Sequence, residues 1–201
     1  MLFLLNIVGT IAFAISGYFI AVNAKLDLLG IIIISYITAF GGGIIRDIII
    51  HRTSFIFTSD YYIPIVFITI SIMFLFKLHK HKIIFENNKL FLISDSIGLS
   101  VFSFSGAIIA LEYDLNLGGV LFLAFITAVG GGILRDIIIN KVPFVLKNEF
   151  YGTISIFIGL FTYIFNLFVF LNELTGFIIV FIGIIIRLIA IKYKWKLPRI
   201  S

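Results

Sequence analysis

Apolar residues run along this chain in long blocks, and short polar stretches punctuate them. A helix that crosses about 30 Å of hydrocarbon needs roughly 17–25 predominantly apolar residues. Seven blocks meet that length, at about 2–22, 28–50, 61–77, 90–111, 117–139, 150–170 and 174–191. The third is the shortest and carries Pro64 near its start, where the first-turn N–H lacks a helical partner and proline is tolerated. The pattern predicts an all-α membrane protein with seven transmembrane helices.

The blocks repeat. Shifting the chain by 89 residues lays Asn6–Phe57 on Asp95–Leu146 without a gap, and 22 of the 52 pairs are identical. Agreement is densest between Ile37–Ile50 and Ile126–Ile139, which share Thr-Ala-x-Gly-Gly-Gly-Ile-x-Arg-Asp. Phe13, Ser16 and Gly17 likewise match Phe102, Ser105 and Gly106. Isoleucine on isoleucine is unremarkable in so apolar a chain, but matched Gly, Arg, Asp, Ser and Thr are not. Each copy holds three spans, an odd number, so the second copy enters the membrane from the opposite side. Residues 1–201 are therefore read as a single transmembrane domain. It comprises repeat one (about 2–77), an inverted repeat two (about 90–170) and a seventh helix (about 174–191) outside the repeats. Inverted repeats are a common architecture of transport proteins.

The matched polar residues are the candidate chemistry. Three consecutive glycines in mid-span favour a helix poorly, each about 1 kcal/mol worse than alanine. Gly41, Gly42, Gly43 and Gly130, Gly131, Gly132 are read as pore hinges, where a kinked or unwound helix bares carbonyls to a pathway. The alternative is close helix packing on small residues. Arg46, Asp47, Arg135 and Asp136 follow three to four residues later. A charge inside the membrane costs about 2.5–3.5 kcal/mol near the centre, so these should face the interior and be paired. Sequence neighbours on a helix do not face each other, so partners are expected across helices rather than within each Arg-Asp dipeptide. The four charges serve as a clamp between the halves, as pathway electrostatics, or as both.

Ser16, Ser105, Thr38 and Thr127 either offer oxygens to a permeating ion or bond back to the preceding turn. Asp95 opens the fourth span opposite Asn6 in the first, to attract cations or to rest at the interface. Arg187 is expected to snorkel to the end of the last helix.

Positive charge orients the bundle. With loops assigned alternately, Lys25, Lys77, Lys80, Lys82, Lys89, Lys141, Lys147, Lys192, Lys194, Lys196 and Arg199 fall on one side, and Arg52 alone on the other. The positive-inside rule then places the N-terminus outside and the C-terminus in the cytoplasm of a multi-pass cell-membrane protein. The first block follows Met1 without a basic stretch, which reads as a retained span rather than a cleaved signal peptide.

Composition agrees. The chain of 201 residues is 61% hydrophobic and 12% charged, with a mean hydropathy of +1.21; a soluble domain carries about 25% charged residues. The net charge of +5 is spread among loops, which points to membrane lipid and not to nucleic acid as partner. Cysteine is absent. His79-Lys80-His81-Lys82 reads as a solvated loop among lysines, not a metal site. No hydrolase elbow, zinc-binding HExxH or phosphate loop is present, so no enzyme and no cofactor are expected.

The doubled Thr-Ala-x-Gly-Gly-Gly-x-x-Arg-Asp, with Ser-Gly in the preceding helix of each copy, resembles the prokaryotic branch of the trimeric intracellular cation (TRIC) channel family. That branch shares its domain with bacterial proteins named as glycine transporters. The similarity runs from Asn6 to the last helix. It implies kinked second and fifth helices, a homotrimer with one pore inside each protomer, and permeation by potassium with sodium close behind. The Lys-Glu-Val motif of the animal members is absent here, so their lipid gating and calcium-store role are not implied. A monovalent cation channel is thus the leading expectation. A transporter of a small zwitterion such as glycine is the alternative, because Arg-Asp pairs suit a carboxylate and an ammonium together.

Overall fold

A computed structural model describes residues 1–76, 89–147 and 150–195, and every regular element among them is helical. In chain order these are α1 (Leu2–Asn23), α2 (Leu28–Ile49), a 3-10 turn (Phe55–Phe57), α3 (Tyr62–Leu75), α4 (Lys89–Glu112), α5 (Leu117–Ile138), the one-turn α6 (Phe144–Lys147), α7 (Tyr151–Leu167) and α8 (Glu173–Lys192). Five of them, α1, α2, α4, α5 and α8, are long and apolar enough to cross a membrane, while α3 and α7 are shorter apolar helices. Lys77, Lys80, Lys82, Lys196, Arg199 and the His79–Lys82 tract lie outside the described residues.

Local chemistry sets the helix ends in matched fashion. The Asp27 carboxylate accepts the Gly30 N–H at 2.7 Å to cap α2, and the Asn116 side chain accepts the Gly119 N–H at 3.0 Å to cap α5. At the other ends, the chain turns through a left-handed residue: Lys25 after α1, His51 after α2, Asp114 after α4 and Asn140 after α5. The next N–H reaches back to close the last turn, as Leu26 to Ala21 O and Leu115 to Ala110 O do. Each of these features recurs 89 residues on.

A four-helix centre forms from α1 on α2, α4 on α5, α2 on α5 and α1 on α4; α3 packs on α1, and α7 and α8 pack on α4. The bundle is turned inside out relative to a soluble protein. Leu75, Phe67, Phe181 and Ile137 stand on its exterior, whereas six charged side chains lie within it. Apolar exteriors are stable only in an apolar solvent, so charged and polar groups gather inside, where they can find one another.

Candidate functional site

The centre of the molecule is the crossing of α2 and α5. Helical structure runs through both glycine triplets without interruption, so the expectation of unwound backbone is corrected. Glycine serves here to bring two backbones together. A Cβ on Gly41 would stand 3.0 Å from the Gly131 Cα, and one on Gly130 would stand 3.1 Å from the Gly42 Cα. A Cβ on Gly42 would strike the Thr127 carbonyl oxygen, and one on Gly131 the Thr38 carbonyl oxygen. Contact this close draws its stabilisation from dispersion and from Cα–H···O approaches, which side chains would prevent.

Beyond the crossing, each helix ends in a buried anchor. Arg46 donates from Nε to Asp47 Oδ1 at 2.9 Å, with Nη2 at 2.8 Å from the same oxygen. Asp47 Oδ2 accepts the Phe55 N–H at 2.9 Å, and the Arg46 guanidinium stands 5.6 Å from the Phe55 ring centre. The second copy repeats this: Arg135 Nε to Asp136 Oδ1 at 2.8 Å, and Phe144 N–H to Asp136 Oδ2 at 2.7 Å. The expectation that neighbours would not pair is therefore wrong. The long arginine side chain folds back over its own aspartate, and burial favours that contact because a lone charge here is costly. Each aspartate also ties the following loop to the helix, a role the dipeptide alone did not reveal.

Two polar clusters flank the crossing, and the packing of α1 on α4 explains both. Ser16 bonds Asp95, Gly98 abuts Phe13, and Gly9 abuts Phe102. These pairs advance in opposite directions along the two helices, and the same progression sets Asn6 against Ser105. In the second-copy cluster, Ser16 Oγ donates to Asp95 Oδ1 at 3.1 Å and accepts from Arg135 Nη1 at 3.3 Å. Tyr151, Arg135 and Arg187 act electrostatically on Asp95, and the Arg187 guanidinium lies 4.7 Å over the Tyr151 ring. In the first-copy cluster, Tyr62 stands beside Asn6 and Arg46. There, among the described residues, the Asn6 Oδ1 and Ser105 Oγ have no hydrogen-bond partner.

Two placements differ from expectation. Arg187 does not snorkel: it is 3% exposed, held inward by Tyr151 and Asp95. Asp95 does not rest at the interface, being equally buried. Of the matched threonines, Thr38 donates back to Ile34 O at 2.7 Å, while the Thr127 hydroxyl is unpartnered. Tyr62, Tyr151, Phe55 and Phe144 complete the clusters. Phe55 and Phe144 were visible as an identical pair in the repeat; the tyrosines share the same spacing just past its gap-free stretch.

Comparisons with known proteins bear on this arrangement. A family model described as "Glycine transporter" matches residues 3–78 and 92–166. The chain is 36% identical over 200 residues to the UPF0126 membrane protein YvgT of Bacillus subtilis, covering 98% of this chain and 96% of that one. It is 29% identical to the UPF0126 inner membrane protein YadS of Escherichia coli, covering 98% and 95%. Among solved structures, a prokaryotic TRIC channel crystallised in 0.5 M KCl superposes with a TM-score of 0.86 at 34% identity, covering 98% of both chains. A structure describing conductance through TRIC cation channels gives 0.88 at 33% identity, covering 98% of this chain and 96% of that one. The chain belongs to the prokaryotic TRIC family. Its TRIC relatives extend to an orthologue from Rhodobacter sphaeroides, at 25% identity and a TM-score of 0.87, covering 96% and 98%. As a TRIC-family chain with inner-membrane relatives, it is a multi-pass membrane protein.

Proposed function

We propose that the protein is a monovalent cation channel, permeable to potassium, with a pore inside each protomer. The observation that carries this reading is likeness along essentially the whole chain to solved cation channels, at TM-scores of 0.86 and 0.88. The seven apolar helices α1, α2, α3, α4, α5, α7 and α8 are its spans. The two halves form inverted repeats within one domain, a reading supported by family matches that begin 89 residues apart, at 3 and 92. The N-terminus lies outside and the C-terminus in the cytoplasm, and three protomers assemble in the lipid bilayer.

In this reading α2 and α5 line the path, and their glycine contact at Gly41–Gly43 and Gly130–Gly132 is the pivot between an outer and an inner vestibule. The Asn6–Ser105 cluster with Arg46 and Asp47 faces the outer vestibule, and the Asp95–Ser16 cluster with Arg135 and Asp136 the inner one. Thr38 and Thr127 lie at the pivot itself, each offering its carbonyl oxygen where the opposing helix has only glycine. Arg46 and Arg135 are each paired with their own aspartate, so a cation passing them meets two ion pairs and not two bare guanidinium groups. That answers the electrostatic objection to cation passage beside two arginines.

The test is reconstitution in a planar bilayer under a potassium gradient. Discrete unitary currents reversing toward the potassium equilibrium potential are expected. Electrical silence, together with saturable glycine uptake into liposomes, would overturn the channel in favour of a zwitterion transporter.

A further inference from the structure

The two clusters carry different charges, and α8 is the reason. Asp47 and Asp136 are each in contact with an arginine. Asp95 and Arg187 are the remaining buried charges, and among the described residues neither makes an ion pair within 4.0 Å. They nevertheless act on each other electrostatically, and among the described residues the Arg187 Nε has no hydrogen-bond partner. Arg187 reaches this place because α8 packs against α4 and α7. Gly183, one turn earlier, allows the approach, since a Cβ there would collide with Ile158. In the first cluster the further cation is the half-buried Arg52, which acts on Arg46 from the loop after α2, and where the second cluster has Asp95 the first has the neutral Asn6.

We infer that Arg187 is a tethered competitor for the permeating monovalent cation at Asp95. Asp95, Ser16 and the Tyr151 hydroxyl form the inner station of the path, and the guanidinium on α8 sets how tightly that station holds a cation. The chemistry is direct. A carboxylate with hydroxyl oxygens beside it binds a dehydrated monovalent cation, and a fixed positive charge nearby opposes that binding. Because Arg187 stands off from Asp95 instead of closing a contact pair, it weakens the station without filling it. α8 lies outside the internal repeat, so it acts on one vestibule and leaves the other unchanged.

This inference rests on the channel reading, and one series of recordings separates the two. Half-saturation of unitary conductance by potassium is measured for the full chain and for variants. Arg187→Gln should lower the half-saturating concentration roughly tenfold, the effect of removing one nearby like charge. Asp95→Asn should raise it. The double variant Asp95→Asn/Arg187→Gln balances charge as the first half does, and should saturate at lower potassium than Asp95→Asn alone. That last comparison stands even if Arg187→Gln fails to fold. Arg187→Gln unchanged from wild type, or the double variant no better than Asp95→Asn, overturns the inference while leaving the channel intact. A silent wild-type protein overturns both.

Discussion

The first and second halves build the same scaffold and dress it differently. Both use a side-chain cap from Asp27 or Asn116, a left-handed closing residue at each helix end, a glycine face, and an arginine folded onto an aspartate that also holds the next loop. The difference in buried charge sits at one matched position, Asn6 against Asp95, and in α8, which packs against α4 and α7 and meets the first half at Met1. Where α8 drives a buried guanidinium into the cluster, the chain carries an acid. Where no such guanidinium arrives, an amide suffices, and among the described residues its oxygen and the Ser105 hydroxyl have no hydrogen-bond partner.

The glycine contact is the part of this comparison most open to breakage. Gly42→Leu and Gly131→Leu should abolish the folded protein, because even a Cβ meets a carbonyl oxygen of the opposing helix; overpacking costs about 1–3 kcal/mol in milder cases. Size-exclusion profiles and thermal unfolding in detergent check this. The neighbouring pair should diverge. A Cβ on Gly43 meets the Phe55 ring, whereas one on Gly132 meets only the Arg135 Nη2 at 3.6 Å. Gly132→Ala should therefore be tolerated and Gly43→Ala should not.

The anchors come next in size. Asp47→Ala and Asp136→Ala should each destabilise by about 3–5 kcal/mol, since each strands a buried arginine and frees a loop N–H. Equal losses are expected in titrated unfolding, and a marked inequality would show that the anchors are not equivalent. Smaller still are exchanges across the halves. Asn6→Asp and Asp95→Asn should each lose about 2 kcal/mol, less than a contact pair loses, because each unbalances a cluster without breaking an ion pair. Thr127→Val should stay within about 0.5 kcal/mol of wild type or exceed it, for it removes a buried hydroxyl that has no partner.

Much of the scaffold was legible in the sequence because the bilayer imposes a length rule and the repeat doubles every signal. The helices lie where the apolar blocks predict, and the matched Arg, Asp and Ser residues, with Gly41–Gly43, Gly130 and Gly131, are buried. Three things were not legible, each for a physical reason. Helix geometry argues against pairing between Arg46 and Asp47, but it describes Cβ directions and not the reach of a four-carbon side chain. Low helix propensity of Gly-Gly-Gly argues for unwinding, yet close packing against a second glycine face overrides it. Arg187 looked placed to snorkel, but Tyr151 and Asp95 are distant in sequence and only the tertiary fold brings them under it.

On the channel reading, both clusters lie on one cation path and open to opposite sides of the membrane. Because the chain has no cysteine, Ser105→Cys and Ser16→Cys can be introduced singly and modified with a cationic thiol reagent during bilayer recording. Ser105→Cys should lose current only when the reagent is added on the outer side, and Ser16→Cys only when it is added on the cytoplasmic side. Block of both from the same side, or modification that leaves the current unchanged, would contradict it.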